Sequence, residues 1–295
     1  MTIDQLKTDG FGVFSTHGDQ VSFSDFNNQQ VTYKYSKWTY SPIKYWPTTQ
    51  GDINFYAYAP YDKDKTLNNT SFEFNVDPDV AKQKDLLWAN ANAHINDMIT
   101  SKNNKVTLHF AHALSKLGYT VKLHDIYPSA TFTLNKIILA GSPDETTKAF
   151  YSKGTIDLSK TSSDNKVLWT ISNPAVKQNL NWVSESESYK VESKDPNDPK
   201  NYLFVIPQDF SKDKTTKNPD VDELYIIVQY TITYTNGDTQ INTVYKQLKQ
   251  NFLQGKAYKI NLTIGLPIEF DADVTPWGTE IDIPGDGNDT WDGIK

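Results

Sequence analysis

Apolar and polar positions alternate with a period of two through most of the chain, the signature of strands with one face in a core. In the first half this pattern predicts strands at "FGVFSTH", "VTYKYSKWTY", "INFYAYAPY" and "SFEFNV". Within the third, Phe55, Ala57 and Ala59 face opposite to Tyr56 and Tyr58. Pro42, Pro47 and "TTQGD" separate the second strand from the third, because neither proline nor that turn chemistry continues a ladder. Asp77 and Pro78 predict a single helical turn through "PDVAKQ", and "DLLWAN" is a short apolar strand beyond it. "VTLHF" puts Val106, Leu108 and Phe110 on one face, and "LGYTVKL" does the same with Leu117, Tyr119, Val121 and Leu123. "ATFTLNKIILAG" and "KGTIDLS" close this half.

From Thr161 to Ser188 the chain turns polar, and the run "KTSSDNK" marks a predicted boundary between domains at 1–160 and 161–295. The strongest local signal of the second half is "LYIIVQYTITYTNGDTQINTVY". Its Asn236-Gly237 suits a two-residue type I′ turn, which sets Ile232 against Ile241, Tyr230 against Thr243 and Val228 against Tyr245. "KAYKINLTIGL" follows with Tyr258, Ile260, Leu262 and Ile264 on one face, and "IEFDADVTPW" reads as the last strand. Beyond Thr279 the tail is acidic, rich in Gly and expected to be loose. The polar stretches "SKDPNDPKN" and "SKDKTTKNPDVD" are surface loops.

Composition strengthens the all-β reading: aromatic residues are 13% of the chain, with 17 Tyr, 14 Phe and 7 Trp. A net charge of −7 argues against nucleic acid, which calls for a concentrated basic face. All 29 basic residues are Lys, so the bidentate guanidinium forks common in phosphate recognition are missing. With no Cys, disulfides, thiolate catalysis and Cys-ligated metals are excluded. No stretch reaches the ~20 apolar residues of a membrane-spanning helix, and Met1 is followed by the polar "TIDQLKTDG". That beginning fits a cytosolic chain or one recorded after a removed signal.

Candidate chemistry is sparse. His109 and His112 are three apart and point to opposite faces of a strand, so the residues favour a His at a strand-to-turn corner bonded to backbone over a metal site. Ser115 lacks the "GxSxG" frame of a nucleophile. Glu185 and Glu187 sit in a polar run, where a solvated loop outweighs a glycosidase pair. "PGDGNDTWDG" has Trp291 where a calcium loop counted from Asp286 wants Gly. No cofactor is expected. The densest ring group, Trp38, Tyr40, Tyr45 and Trp46, reads first as core and cross-strand packing and second as a binding platform.

The ordered set "SPIKYWP", "INFYAYAPY", "QKDLLWA", "VTLHFAHALSKLGYTVKL", "GTIDL", "YLFVIPQ", "GKAYKINLTIGL" and "VTPW", from about Phe11 to Trp277, resembles the Bacteroidetes fimbrillin family of Mfa-like pilins. The resemblance implies two tandem transthyretin-like Greek-key β-sandwich domains. It also implies a non-catalytic fimbrial or adhesion subunit at the cell surface, attached to the outer membrane through a lipid-bearing Cys that this sequence does not contain. Its partners would be other pilin subunits, joined by strand exchange, and a host or bacterial surface protein or glycan. Family maturation cleaves after Arg in its best-known branch, and this chain has no Arg. The signature residues implied are Pro42, Tyr45, Trp46 and Pro47 at the first corner, Tyr58, Ala59 and Pro60 ending the next strand, His112 and Ala113 at the turn before Leu117, and Trp277 closing the last strand. The alternative is a surface glycan-binding lipoprotein that uses its exposed rings.

Overall fold

The computed structural model describes residues 1–18, 26–48, 51–101, 105–123, 130–160, 168–191, 202–215, 220–264, 270–276 and 293–294. Trp277 and nearly all of the acidic tail lie outside them. The chain divides into two compact units that are not consecutive halves. The first comprises Met1–Phe74, Lys84–Ala113 and Gly154–Ile171; the second comprises Asn75–Gln83, Leu114–Lys153 and Ser172–Lys295. The single cut at 160/161 expected from composition is displaced accordingly. Its physical reason is long-range pairing: strand Thr131–Ala140 is hydrogen-bonded along its length to Tyr225–Thr233, and local polarity carries no record of that.

In the first unit, a short helix α1 (Ile3–Asp9) begins at Thr2, whose side chain accepts a hydrogen bond from the Gln5 N–H. It leads into β1 (Phe11–His17), β2 (Gln29–Lys34), β3 (Lys37–Thr39), β4 (Asp52–Ala59), β5 (Ser71–Asn75), β6 (Leu87–His94) and β7 (Ala111–His112). Six of these form one sheet in the order β3-β2-β1-β4-β6-β7. The run "VTYKYSKWTY", expected as one strand, is instead the β2–β3 hairpin, with Tyr33 opposite Trp38. Its turn residues Tyr35 and Ser36 have φ of 53° and 62°, the positive values that a two-residue hairpin turn demands and that Gly or Asn usually supply. "VTLHF" joins no ladder, yet Val106, Leu108 and Phe110 still pack together on the core while Thr107 and His109 stay exposed.

One face of this sheet, carrying Phe14, Tyr58 and Trp88, is buried with Phe72, Ile156 and Trp169. The last three come from β5 and from a small partner sheet completed by β11 (Lys153–Asp157) and β12 (Trp169–Thr170). Trp169 Nε1 donates to the Ala113 carbonyl at 2.8 Å, and Asn90 Nδ2 donates to Leu158 O at 2.8 Å.

The second unit is a sandwich of two larger sheets. One combines β9 (Thr131–Ala140), β14 (Leu180–Val183), β15 (Tyr189–Val191), β18 (Tyr225–Thr233), β19 (Thr239–Gln247) and β23 (Gly293–Ile294). The other orders β16 (Leu203–Val205), β8 (Ser115–Leu123), β21 (Lys256–Ile264) and β22 (Phe270–Pro276), with β8 and β21 parallel. Two-stranded pairs, β10 (Phe150–Tyr151) with β13 (Lys177–Gln178) and β17 (Gln208–Asp209) with β20 (Asn251–Phe252), complete the unit. A continuous core runs between the large sheets, from Leu117, Tyr119 and Val121 through Leu134 and Ile137 to Val228, Ile260 and Leu262. The protein is thus nearly all β and mostly antiparallel.

The register of the long hairpin differs from expectation by one residue. Ile232 lies opposite Gln240, Tyr230 opposite Asn242 and Val228 opposite Val244. Thr235, Asn236 and Gly237 form a three-residue loop, closed by Tyr234 N–H to Asp238 O at 2.9 Å, with Gly237 at φ 89°. The glycine serves a bulge after the turn, not a position within a two-residue turn. A one-residue slip inverts the strand, so Val244 faces the core and Ile241 is 66% exposed. The helical turn near "PDVAKQ" is a 3-10 turn, Val80–Lys82, capped by Asp79 and not by Asp77.

Candidate functional site

Among the described residues, the second face of the β3-β2-β1-β4-β6-β7 sheet is covered by helices and irregular chain. Alternate residues of four strands project onto it: Phe11, Val13 and Ser15 from β1, Val31 and Tyr33 from β2, Ile53 and Phe55 from β4, and Leu87 from β6. Helix α1, the segment 38–46 and the segment 105–110 roof this face and leave a groove of about 1150 Å³. Small residues on the same face, Ala57, Ala59, Ala89 and Ala93, keep part of the floor low.

Trp38, Tyr40, Tyr45 and Trp46 all line this groove. Three of them are held edge-on to neighbouring rings. Trp38 meets Phe11 and Tyr33 at 5.1 and 5.0 Å between centroids, Tyr40 meets Phe26 at 5.3 Å, and Trp46 meets Phe55 at 6.3 Å. Tyr45 is 86% exposed, and Ile3 and Ile43 are exposed beside it on the groove wall. Pro42 follows a cis peptide bond and, like the half-buried Pro47, shapes the segment that roofs the groove.

Of the other signature positions, Trp277 lies outside the described residues and His112 also lines the groove. Tyr58 is buried, its hydroxyl 2.7 Å from Asp62 O and 2.8 Å from Asn28 Oδ1, and burial pushes that hydroxyl well above the ordinary tyrosine value. Ala59 is buried and Pro60 follows it through a cis bond. Ala113 accepts from the Trp169 indole. His112 turns its Nδ1 toward a side chain. That nitrogen donates to the buried carboxylate of Asp85 at 2.7 Å, and Asp85 also accepts from the Met1 amino group. Asp85 was missed because it lies 27 residues away with no local motif to link the two.

His109 lines the groove and is exposed. Ser115 is fully buried and donates to Leu253 O at 2.8 Å, a structural bond. Glu185 and Glu187 are exposed on a 3-10 turn, where Glu187 accepts from the Ser184 hydroxyl at 2.7 Å. Among the described residues no group of three or more His, Cys, Asp or Glu is placed to hold a metal ion.

A second feature is the outer edge of β19. The Tyr234 to Asp238 bond and the register place Asp238, Gln240, Asn242 and Val244 as the hydrogen-bonded partners of β18. Thr239, Ile241 and Thr243 therefore direct their backbone groups outward. Among the described residues, only Val244 and Tyr245 meet a further strand there, the two-residue β23.

A fimbrillin-like family model matches residues 1–277. Among solved structures, a fimbrial protein from Bacteroides vulgatus superposes with a TM-score of 0.66 at 18% identity, covering 94% of this chain and 96% of that one. A protein assigned to cell adhesion from Bacteroides uniformis gives a TM-score of 0.52 at 14% identity, covering 91% of each chain. At these identities the likeness carries the fold. No curated protein sequence matches the chain.

Proposed function

Because the chain belongs to the fimbrillin-like family, we propose that it is a non-catalytic fimbrial subunit of the cell surface that assembles by accepting a strand from another subunit along β19. The observation that carries this reading is the nine-residue edge Thr239–Gln247, which among the described residues is covered only at Val244 and Tyr245, by β23. An edge with outward N–H and C=O groups is a template for strand addition, which gives affinity through main-chain bonds without any catalytic group. The side chain of Ile241 stands exposed on that edge, available to a pocket of the incoming strand. A glycan-binding role has no comparable support, since the candidate rings stand edge-on to their neighbours.

The test compares wild type with Ile241→Pro and Asn242→Pro by light scattering and electron microscopy, before and after N-terminal trimming by protease. Proline at 241 removes an outward N–H and leaves the β18–β19 ladder intact, whereas at 242 it removes a ladder donor. Oligomers or filaments abolished by Ile241→Pro, with its fold retained, support the reading. Persistent monomers in every wild-type sample, or filaments indifferent to Ile241→Pro, contradict it.

A further inference from the structure

The groove of the first unit calls for a different kind of partner than the β19 edge. Its floor is a sheet face, not an edge: β1 is paired to β2 and β4, β2 to β1 and β3, and β4 to β1 and β6. The floor backbone is therefore already committed. A peptide laid across this face would bring N–H and C=O groups into apolar surroundings with no ladder to satisfy them, at a cost for each. A hydrocarbon chain has no such groups.

Charge selects further. The protein is net negative by 7, yet among the described residues that line the groove none is Asp or Glu, while Lys37, Lys44 and Lys105 are. Exposed apolar side chains also gather here, with Ile3, Trp38, Ile43 and Tyr45 all on its walls. At about 1150 Å³ the space lies just above the range of roughly 300–1,000 Å³ typical of small-molecule sites, which suits a long ligand.

We infer that this groove binds the hydrocarbon chain of an anionic amphiphile of the long-chain carboxylate class, with the chain along the exposed wall of Ile3, Ile43 and Tyr45 and the head group held by the groove lysines. The site is independent of strand exchange at β19.

The test is displacement of a fluorescent fatty-acid probe, cis-parinaric acid, from the full chain by palmitate, by hexadecanol and by octanoate, each below its aggregation limit. Palmitate is expected to displace the probe saturably and at least tenfold better than either hexadecanol, which lacks the charge, or octanoate, which lacks the length. In the triple variant Lys37→Gln, Lys44→Gln, Lys105→Gln, palmitate should weaken about tenfold while hexadecanol is unchanged, with an unaltered urea midpoint showing that the fold is kept. The double variant Ile43→Ser, Tyr45→Ser should weaken palmitate and hexadecanol alike. Absence of saturable probe binding, equal affinity for palmitate and hexadecanol, or an apolar peptide displacing the probe better than palmitate would each overturn the inference.

Discussion

The two principal sheets treat their apolar faces differently. In the second unit, β9 and β18 lay Phe132, Leu134, Val228 and Ile232 against a full partner sheet, and the core between the layers is continuous and closed. In the first unit the main sheet has large buried side chains on both faces, and among the described residues only one of those faces meets another sheet. The other is covered by two short helices, α1 and α2 (Ile95–Thr100), and irregular chain, with a groove between its apolar walls. Both arrangements bury rings in strands of alternating sequence, so alternation alone does not separate them. What separates them is whether a second sheet covers the face, and in the first unit the face without one is bordered by the exposed Ile3, Ile43 and Tyr45.

Substitution inside the closed core tests this contrast at its strongest point. Leu117→Ala removes a fully buried side chain of the sandwich and should lower unfolding free energy by about 2–5 kcal/mol, read from urea denaturation. A loss below 1 kcal/mol would mean that the core is less closed than its burial indicates. Gly237→Ala should cost about 1–2 kcal/mol, because φ is 89° there and a Cβ is strained whatever space surrounds it. The same urea series measures it, and an unchanged midpoint would contradict the bulged loop.

Alkaline titration sharpens the comparison differently, since each unit holds a buried tyrosine whose hydroxyl is pushed above its ordinary value. Burial is the leading cause of the raised values at Tyr58 and Tyr258. A folded-state value above the unfolded one means stability held fully below about pH 10 and lost as pH rises through the folded-state values. Urea midpoints should fall above that pH, and Tyr58→Phe should shallow the fall. The smallest effect is expected on the open side: Ile43→Ser and Tyr45→Ser should each change stability by no more than about 0.5 kcal/mol, because both side chains stand in solvent. A cost of 2 kcal/mol would show that the groove wall is core.

Much of the strand inventory was legible because period-two alternation survives in single segments: β1, β4, β5, β8, β9, β18 and β21 all fall where the pattern put them. Three features were not. The β2–β3 hairpin turns at Tyr35 and Ser36 without Gly or Asn, so no local residue announces it. The register of β18 and β19 depends on a bulge that the same Asn-Gly dipeptide permits as readily as the tighter turn. Membership of the two units follows pairings such as that of β9 with β18, made over a separation that composition cannot report. The groove was half visible. Its rings were singled out from sequence, but only the fold brings Lys37, Lys44 and Lys105 to the same groove lining.

The central claim, that β19 is the face on which subunits join, is tested most directly by backbone hydrogen exchange along Thr239–Gln247 in monomer and in assembled material. The account predicts rapid exchange at Thr239, Ile241 and Thr243 in the monomer and strong protection of those amides after assembly. Assembled fibres in which these three amides exchange as fast as in the monomer, while another segment gains protection, would contradict it.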